Sequence, residues 1–379
     1  MAAAAVTVKM ASDGMWQGEN PLDFALPLLA LQVAVILVIT QGLALALKPL
    51  RQPRVVAEIL GGILLGPSAL GRWGPFRRTL FPAWSAAALD TVSGLGLLLF
   101  LFLVGLELDF RSVRRVGPRS VAIAAAGIAP PFLAAAGLVP LLDVAVPAPR
   151  RASFLPLCVF VGAALSVTAL PVLACILKEL SLLGVPFGDT AMAAAAVNDV
   201  FAWVLLALAL AVSGGGCREP KGPPLAPGGL AERAGEKVAP LVSGLMLPLY
   251  FATSGLHTDI DNVRGAAAWG MVALVVAVAI GGKFAGTFAV AAGTGMPRRE
   301  AAALGVAMSA KGLVELIVLN IGKERKVLDD TTFAIFVIMA LTTTVLATPF
   351  MTALYRRTPT ATTPESDDVE LNGGDACPA

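Results

Sequence analysis

Apolar residues run along this chain in long, nearly unbroken stretches. A helix needs roughly 20 mostly apolar residues to cross a bilayer. By that measure about ten stretches qualify, near residues 24–47, 54–71, 90–108, 119–142, 153–178, 187–213, 240–256, 265–292, 299–322 and 332–355. One segment breaks the pattern. Residues 214–239, GGGCREPKGPPLAPGGLAERAGEKVA, are rich in Gly, Pro and charge. Their backbone groups would go unsatisfied in hydrocarbon, so they cannot cross it. The pattern predicts an all-α polytopic membrane protein. Its parts are an extramembrane N-terminal segment (1–23), a six-span half (24–213), a polar linker (214–239), a four-span part (240–355) and a disordered tail (356–379).

Composition narrows the class. The 379 residues are 57% hydrophobic and only 14% charged, about half the charge of a soluble domain. The formal net charge of +2 gives no reason to expect nucleic acid. With one histidine, His257, and four cysteines in no CxxC pair, neither a zinc site nor a Ser-His-Asp triad is expected. No cofactor is expected, and no metal beyond a transported ion. The N-terminus lacks the compact apolar core of a signal peptide, so the first span serves as an uncleaved insertion signal. Basic loops at Lys48, Arg51 and Arg54 and at Arg111, Arg114, Arg115 and Arg119 set the cytosolic face and put the N-terminus outside. Arg72, Arg77 and Arg78, in the loop between, oppose that assignment.

Polar residues inside apolar runs carry the chemistry. Each charged one costs roughly 2.5–3.5 kcal/mol to insert, so it faces a cavity or a partner. Asn198 and Asp199 lie deep in AMAAAAVNDVFAWVLLALALAV. A carboxyl there can trade a proton near neutral pH, and its ionised form is a hard oxygen ligand for an alkali cation. One site that holds either ion, but not both, is the minimum machinery for exchange. The bland alternative is a structural Asp paired with a lysine of another span. Two interrupted spans add to the case. In SVTALPVLACIL (166–177), Pro171 removes a backbone donor and frees carbonyls near Ser166 to Thr168 for a cation. In GVAMSAKGLVELIVLN (305–320), Ser309, Lys311 and Gly312 sit mid-run. One broken span in each half is the pattern of an inverted-repeat secondary transporter. Lys283, with no acid within a turn, needs a partner on another span. Lys311 has Glu315 four residues on, and a local structural pair and a place on the ion path are equally open. Glu58 either lines a cytosolic funnel or is solvated.

Six stretches carry a family resemblance: VVAEILGGILLGPSALGR (55–72), LLFLFLVGLELDF (98–110), ALSVTALPVLACIL (164–177), AAAVNDVFAWVLLALALA (194–211), LVSGLMLPLYFATSGLHTDI (241–260) and KGLVELIVLNIGKERKVLDD (311–330). With them the chain resembles the plant cation/proton exchangers, a branch of the second monovalent cation:proton antiporter superfamily. The resemblance implies a sodium/proton antiporter-type fold with discontinuous helices, in which a core domain moves against an interface domain. It implies that Asp199 carries the exchanged ion or proton beside Asn198. It puts Thr168 and Pro171 in the crossed helices, and Lys283 and Lys311 among the family's intramembrane lysines. It further implies exchange of potassium or another monovalent cation for protons, in an endomembrane or the plasma membrane.

The sequence departs from that pattern in three places. Cys175 stands where the family usually has Arg. The family's long cytosolic C-terminal region does not follow the last span. About three spans are missing where the polar linker stands, which leaves a homodimer without its expected interface spans. Removing an odd number of spans reverses everything downstream, so the second broken helix is expected to enter from the wrong side. The escape is a segment that fails to cross, and 240–256, short and interrupted by Pro248, is the weakest span. Two functions follow: a working cation/proton antiporter, or a truncated, non-transporting relative that only associates with intact exchangers.

Overall fold

The computed structural model describes residues 20–50, 52–107, 117–146, 153–179, 182, 186–213 and 230–354. Every regular element among them is helical. The helices are α1 (Ala25–Leu47), α2 (Arg54–Leu65), α3 (Gly74–Leu80), α4 (Ala86–Glu107), α5 (Pro118–Ala145), α6 (Phe154–Ser166), α7 (Leu170–Glu179), α8 (Pro186–Val212), α9 (Leu230–Leu241), α10 (Leu247–Leu256), α11 (Gly265–Gly293), α12 (Arg298–Ala307), α13 (Leu313–Glu324) and α14 (Asp330–Leu354). Among the described residues, nine stretches are long and apolar enough to span a membrane. The tenth expected span is the broken pair α12–α13, each half too short by itself.

The helices pack as two groups. In one, α1, α2, α4 and α10 lie against each other; in the other, α5 to α8 interlock with α11 to α14. Close backbone approach needs glycine at the tightest crossings. A Cβ on Gly62 would strike the Ala252 backbone, where α2 meets α10, and one on Gly286 would strike the Ala126 carbonyl, where α5 meets α11. Small residues at such contacts let membrane helices gain van der Waals packing.

Helix α9 begins at Leu230, ahead of the expected start at 240, and runs into α10 through a π-type turn at Val242–Met246. Pro240, which has no backbone N–H to give, sits just before that turn. The stretch doubted as a span is therefore one continuous, slightly widened helix, and the apolar part from Lys237 to Asn262 is long enough to cross. The remainder of the linker and the tail after Leu354 lie outside the described residues.

Contacts at the helix ends fix which ends share a face. Gln32, early in α1, donates to Leu80 O (2.6 Å) and to Ser85 Oγ (2.8 Å). His257, after α10, lies 3.4 Å from Asp90, early in α4. Ser68, after α2, accepts from Ile260 N at 2.9 Å and donates to Thr258 O at 3.2 Å. These ends make up the first face. On the second, Gln52 donates to Val345 O at 3.4 Å, Arg119 to Thr294 Oγ1 at 3.1 Å and Arg299 to Leu354 O at 2.6 Å.

Helix α8 starts on the second face, since Phe187 and Ala191 share a buried cluster with Ala291 and Met296. Its 27 residues, roughly 40 Å of helix, carry Val212 to the first face. The α9–α10 helix ends on the first face beside Ser68, so Leu230 starts on the second. The expectation that the second broken helix enters from the wrong side is thereby corrected. Pair α6–α7 runs from first face to second, and α12–α13 runs back.

Candidate functional site

The two breaks lie against each other at mid-depth. Helix α6 stops at Ser166 and α7 begins at Leu170, with Pro171 in its first turn, where a missing N–H costs nothing. Helix α12 stops at Ala307 and α13 begins at Leu313. Ala169 N donates to Ala310 O at 3.3 Å, and Thr168 Oγ1 donates to Met308 O at 2.7 Å. Gly312 makes room: a Cβ there would lie 2.7 Å from Ala169 Cβ and 2.8 Å from Val172 Cγ2.

A helix that stops inside a bundle leaves carbonyls at one end and N–H groups at the other without partners. Here lysines cover the carbonyls. Lys311 Nζ donates to Ala164 O (2.5 Å) and Leu165 O (2.8 Å). Lys283 Nζ donates to Ser166 O and Thr168 Oγ1. Both ammonium groups thus sit at the negative end of α6, where the helix dipole favours a cation. Acid and amide cover the other end. Asn198 Oδ1 accepts from Thr168 N at 2.8 Å, and Asn198 Nδ2 donates to Ser166 O at 3.4 Å. The Asp199 carboxyl lies near the backbone N–H of Leu170, the first residue of α7.

Two sequence expectations change. The carbonyl of Ser166 is not vacant for a cation, because Lys283 and Asn198 occupy it. The Ser166 hydroxyl is also spoken for, donating to Gly162 O at 2.6 Å. Nor do Lys311 and Glu315 form a helical i, i+4 pair. Lys311 lies in the break, ahead of α13, and reaches back to α6 instead. Glu315 is fully buried, and neither of its carboxyl oxygens has a hydrogen-bond partner. It stays within electrostatic reach of Lys311 and Lys283. Glu58 is buried rather than solvated, with Oε2 unpartnered.

Asp199 keeps one oxygen free. Its Oδ1 is buried and has no hydrogen-bond partner, while Lys283 is within electrostatic reach. Asp199, Asn198, Thr168, Ser166, Lys283, Lys311, Glu315, Pro171 and Gly312 therefore all fall at or beside one crossing.

Sequence reasoning passed over Thr344, whose Oγ1 donates to Lys311 O at 2.9 Å and accepts from Lys311 N at 3.3 Å. It also passed over Asn320 on α13. Asn320 Nδ2 donates to Tyr250 Oη (2.9 Å) and Ser254 Oγ (2.5 Å) on α10, tying the two helix groups together near the first face. The signal was an amide in the apolar run LIVLN and two hydroxyls one turn apart.

Comparison with known proteins bears on this crossing. The family profile described as "Sodium/hydrogen exchanger, transmembrane" matches residues 33–220 and 225–356, its two parts meeting within the polar linker. Cation/H(+) antiporter 20 of Arabidopsis thaliana is 46% identical, over 92% of this chain and 51% of its own length. Na(+)/H(+) antiporter NhaS4 of Synechocystis sp. is 31% identical, over 86% of this chain and 97% of its own length. K(+)/H(+) antiporter 1 of Saccharomyces cerevisiae is 27% identical, over 96% of this chain and 51% of its own length. The chain spans about half the length of the plant and yeast relatives it matches.

Proposed function

The chain belongs to the sodium/hydrogen exchanger family, beside the plant cation/proton exchangers, and we propose that it is a secondary active antiporter trading a monovalent cation, foremost potassium, for protons at Asp199. It is an integral multi-pass membrane protein. Its work in an endomembrane or the plasma membrane is to set cation content and pH.

The observation that carries this proposal is the buried, partnerless Oδ1 of Asp199 at the crossing of two broken helices. The other polar groups at the break of α6 and α7 are held: the Ser166 carbonyl by Lys283, Thr168 by Met308 and Lys283, and Asn198 by Thr168. A free carboxylate oxygen accepts either a proton or a hard cation. An incoming cation finds Asp199 first. It gains Ser166 O and Thr168 Oγ1 as ligands only by displacing the Lys283 ammonium, which supports a competitive site. Glu315 and Lys311 stand behind as charge partners.

Asn198 occupies the place of a second acid, so one carboxyl trades one proton for one cation and exchange is electroneutral. Sizeable currents from proteoliposomes at a fixed pH gradient count against that stoichiometry. The site assignment is tested by Asp199→Asn, which is expected to abolish potassium- or sodium-dependent proton flux at an unchanged protein level. Undiminished flux overturns it. The polar segment between Val212 and Leu230 favours a second function, a non-transporting relative that associates with intact exchangers. That protein shows no flux even unaltered, despite stable membrane expression.

A further inference from the structure

A cavity of about 330 Å³ lies on the first face, between α1, the end of α2, the α3–α4 connection and the end of α10. No residue of the crossing lines it. Leu65, Phe81, Leu89 and Leu256 make its wall largely apolar, and Gln32, Ser85, Asp90, Arg77 and His257 supply its polar side chains.

Gln32 is the group that calls for a ligand. It is fully buried. Its amide nitrogen donates to Leu80 O and to Ser85 Oγ, and those two bonds fix which way the amide faces. The Leu80 carbonyl can only accept, and the Ser85 hydroxyl gives its own proton to Pro82 O at 2.9 Å. Turning the amide over would set oxygen against oxygen. Oε1 is therefore held as an acceptor, and it receives no hydrogen bond among the described residues. A buried acceptor in that state is stabilised by a donor brought from outside.

Charge on the wall selects the kind of donor. Asp90, in the second turn of α4, is partly exposed and stands beside the His257 ring. Two cations are near. Arg77 is exposed, where solvent screens it, and Lys323 is paired with Asp330 at 2.9 Å. The Asp90 carboxylate is left to favour a positive ligand. The space is also far larger than one water's share of about 30 Å³, and its four apolar side chains suit an organic body.

We propose that this cavity binds a small organic ammonium, at a site separate from the crossing. The ligand's N–H donates to Gln32 Oε1, its charge is balanced by Asp90, and its apolar body lies against Leu65, Phe81, Leu89 and Leu256. The site is built from one helix group, so it holds or fails independently of which ions are exchanged at Asp199.

Titration calorimetry on the purified full-length chain in detergent tests this, with benzylammonium as the probe. Benzyl alcohol offers a similar body with a neutral donor, and benzoate a similar ring with the opposite charge. Benzylammonium is expected to bind with a dissociation constant of about 1 mM or below, about tenfold tighter than benzyl alcohol. Benzoate is expected not to bind. Asp90→Asn is expected to weaken benzylammonium about tenfold and to leave benzyl alcohol unchanged. Gln32→Leu is expected to abolish binding of both. Because that variant also loses two structural bonds, Ala86→Phe is measured beside it. This change fills the cavity from an exposed lining position and is likewise expected to abolish binding. Equal affinity for the ammonium and the alcohol, tighter binding of benzoate, no binding of benzylammonium, or unaltered affinity in Ala86→Phe overturns the proposal.

Discussion

At the scale of single residues, the site is a set of helix ends covered by charge. Removing a lysine cover exposes what lies beneath it. Lys311→Met leaves Ala164 O and Leu165 O buried without partners, a loss of about 1–3 kcal/mol for each orphaned group. Thermal unfolding in detergent is expected to show a clear drop for this variant and a smaller one, about 1 kcal/mol, for Thr344→Val. Glu315→Gln is expected to unfold near the parent temperature, because its carboxyl oxygens hold no hydrogen bonds to lose. If Lys311→Met melts no earlier than Glu315→Gln, the lysine is not a structural cover. These partners show why the site was only partly legible. Asp199, Lys283 and Lys311 stand out in sequence because charge is rare in apolar runs. What the lysines bind does not, since a backbone carbonyl carries no residue signature. The tempting partner for Lys311, Glu315, rested on a helical spacing that the break at Met308–Gly312 removes.

At the scale of elements, two contacts set how the breaks and the helix groups meet. Gly312→Ala puts a methyl group into Ala169 and Val172, an overpacking cost of about 1–3 kcal/mol. Proton flux in proteoliposomes is expected to fall, and adding Ala169→Gly is expected to recover part of it. No recovery in the double variant means that the crossing distance is not what Gly312 protects. The second contact joins α13 to α10. Asn320 to Tyr250 and Ser254, with Lys323 donating to His257 O at 3.2 Å, pins the two groups near the first face. Toward the second face, a cavity of about 720 Å³ opens between α1, α2 and α14, lined by Leu47, Val56, Leu60, Val345 and Pro349. Asn320→Leu is expected to release the pin, raising thiol labelling of Ser254→Cys from the first face while that of a second-face cysteine falls. Unchanged labelling on both faces refutes the pin. Pro171 made the first break legible, but Asn320 reads as an isolated polar residue until α10 is placed beside it.

At the scale of the whole molecule, apolar runs located the membrane helices well because hydrocarbon thickness sets a minimum length that chance rarely meets. Which face each end occupies was less legible. Strict alternation from the N-terminus inverts everything after the linker, whereas the packing of α9 and α10 against α2 and α4 places those helices upright. Orientation is decided by tertiary contacts that no window of sequence contains. The central claim is that one buried carboxyl is shared between proton and cation. It is tested most directly by proton release from purified protein in weakly buffered detergent solution. Addition of potassium is expected to release about one proton per cation bound, as linkage through a single shared carboxyl requires, and Asp199→Asn is expected to release none. Release of the same size from Asp199→Asn would contradict the account.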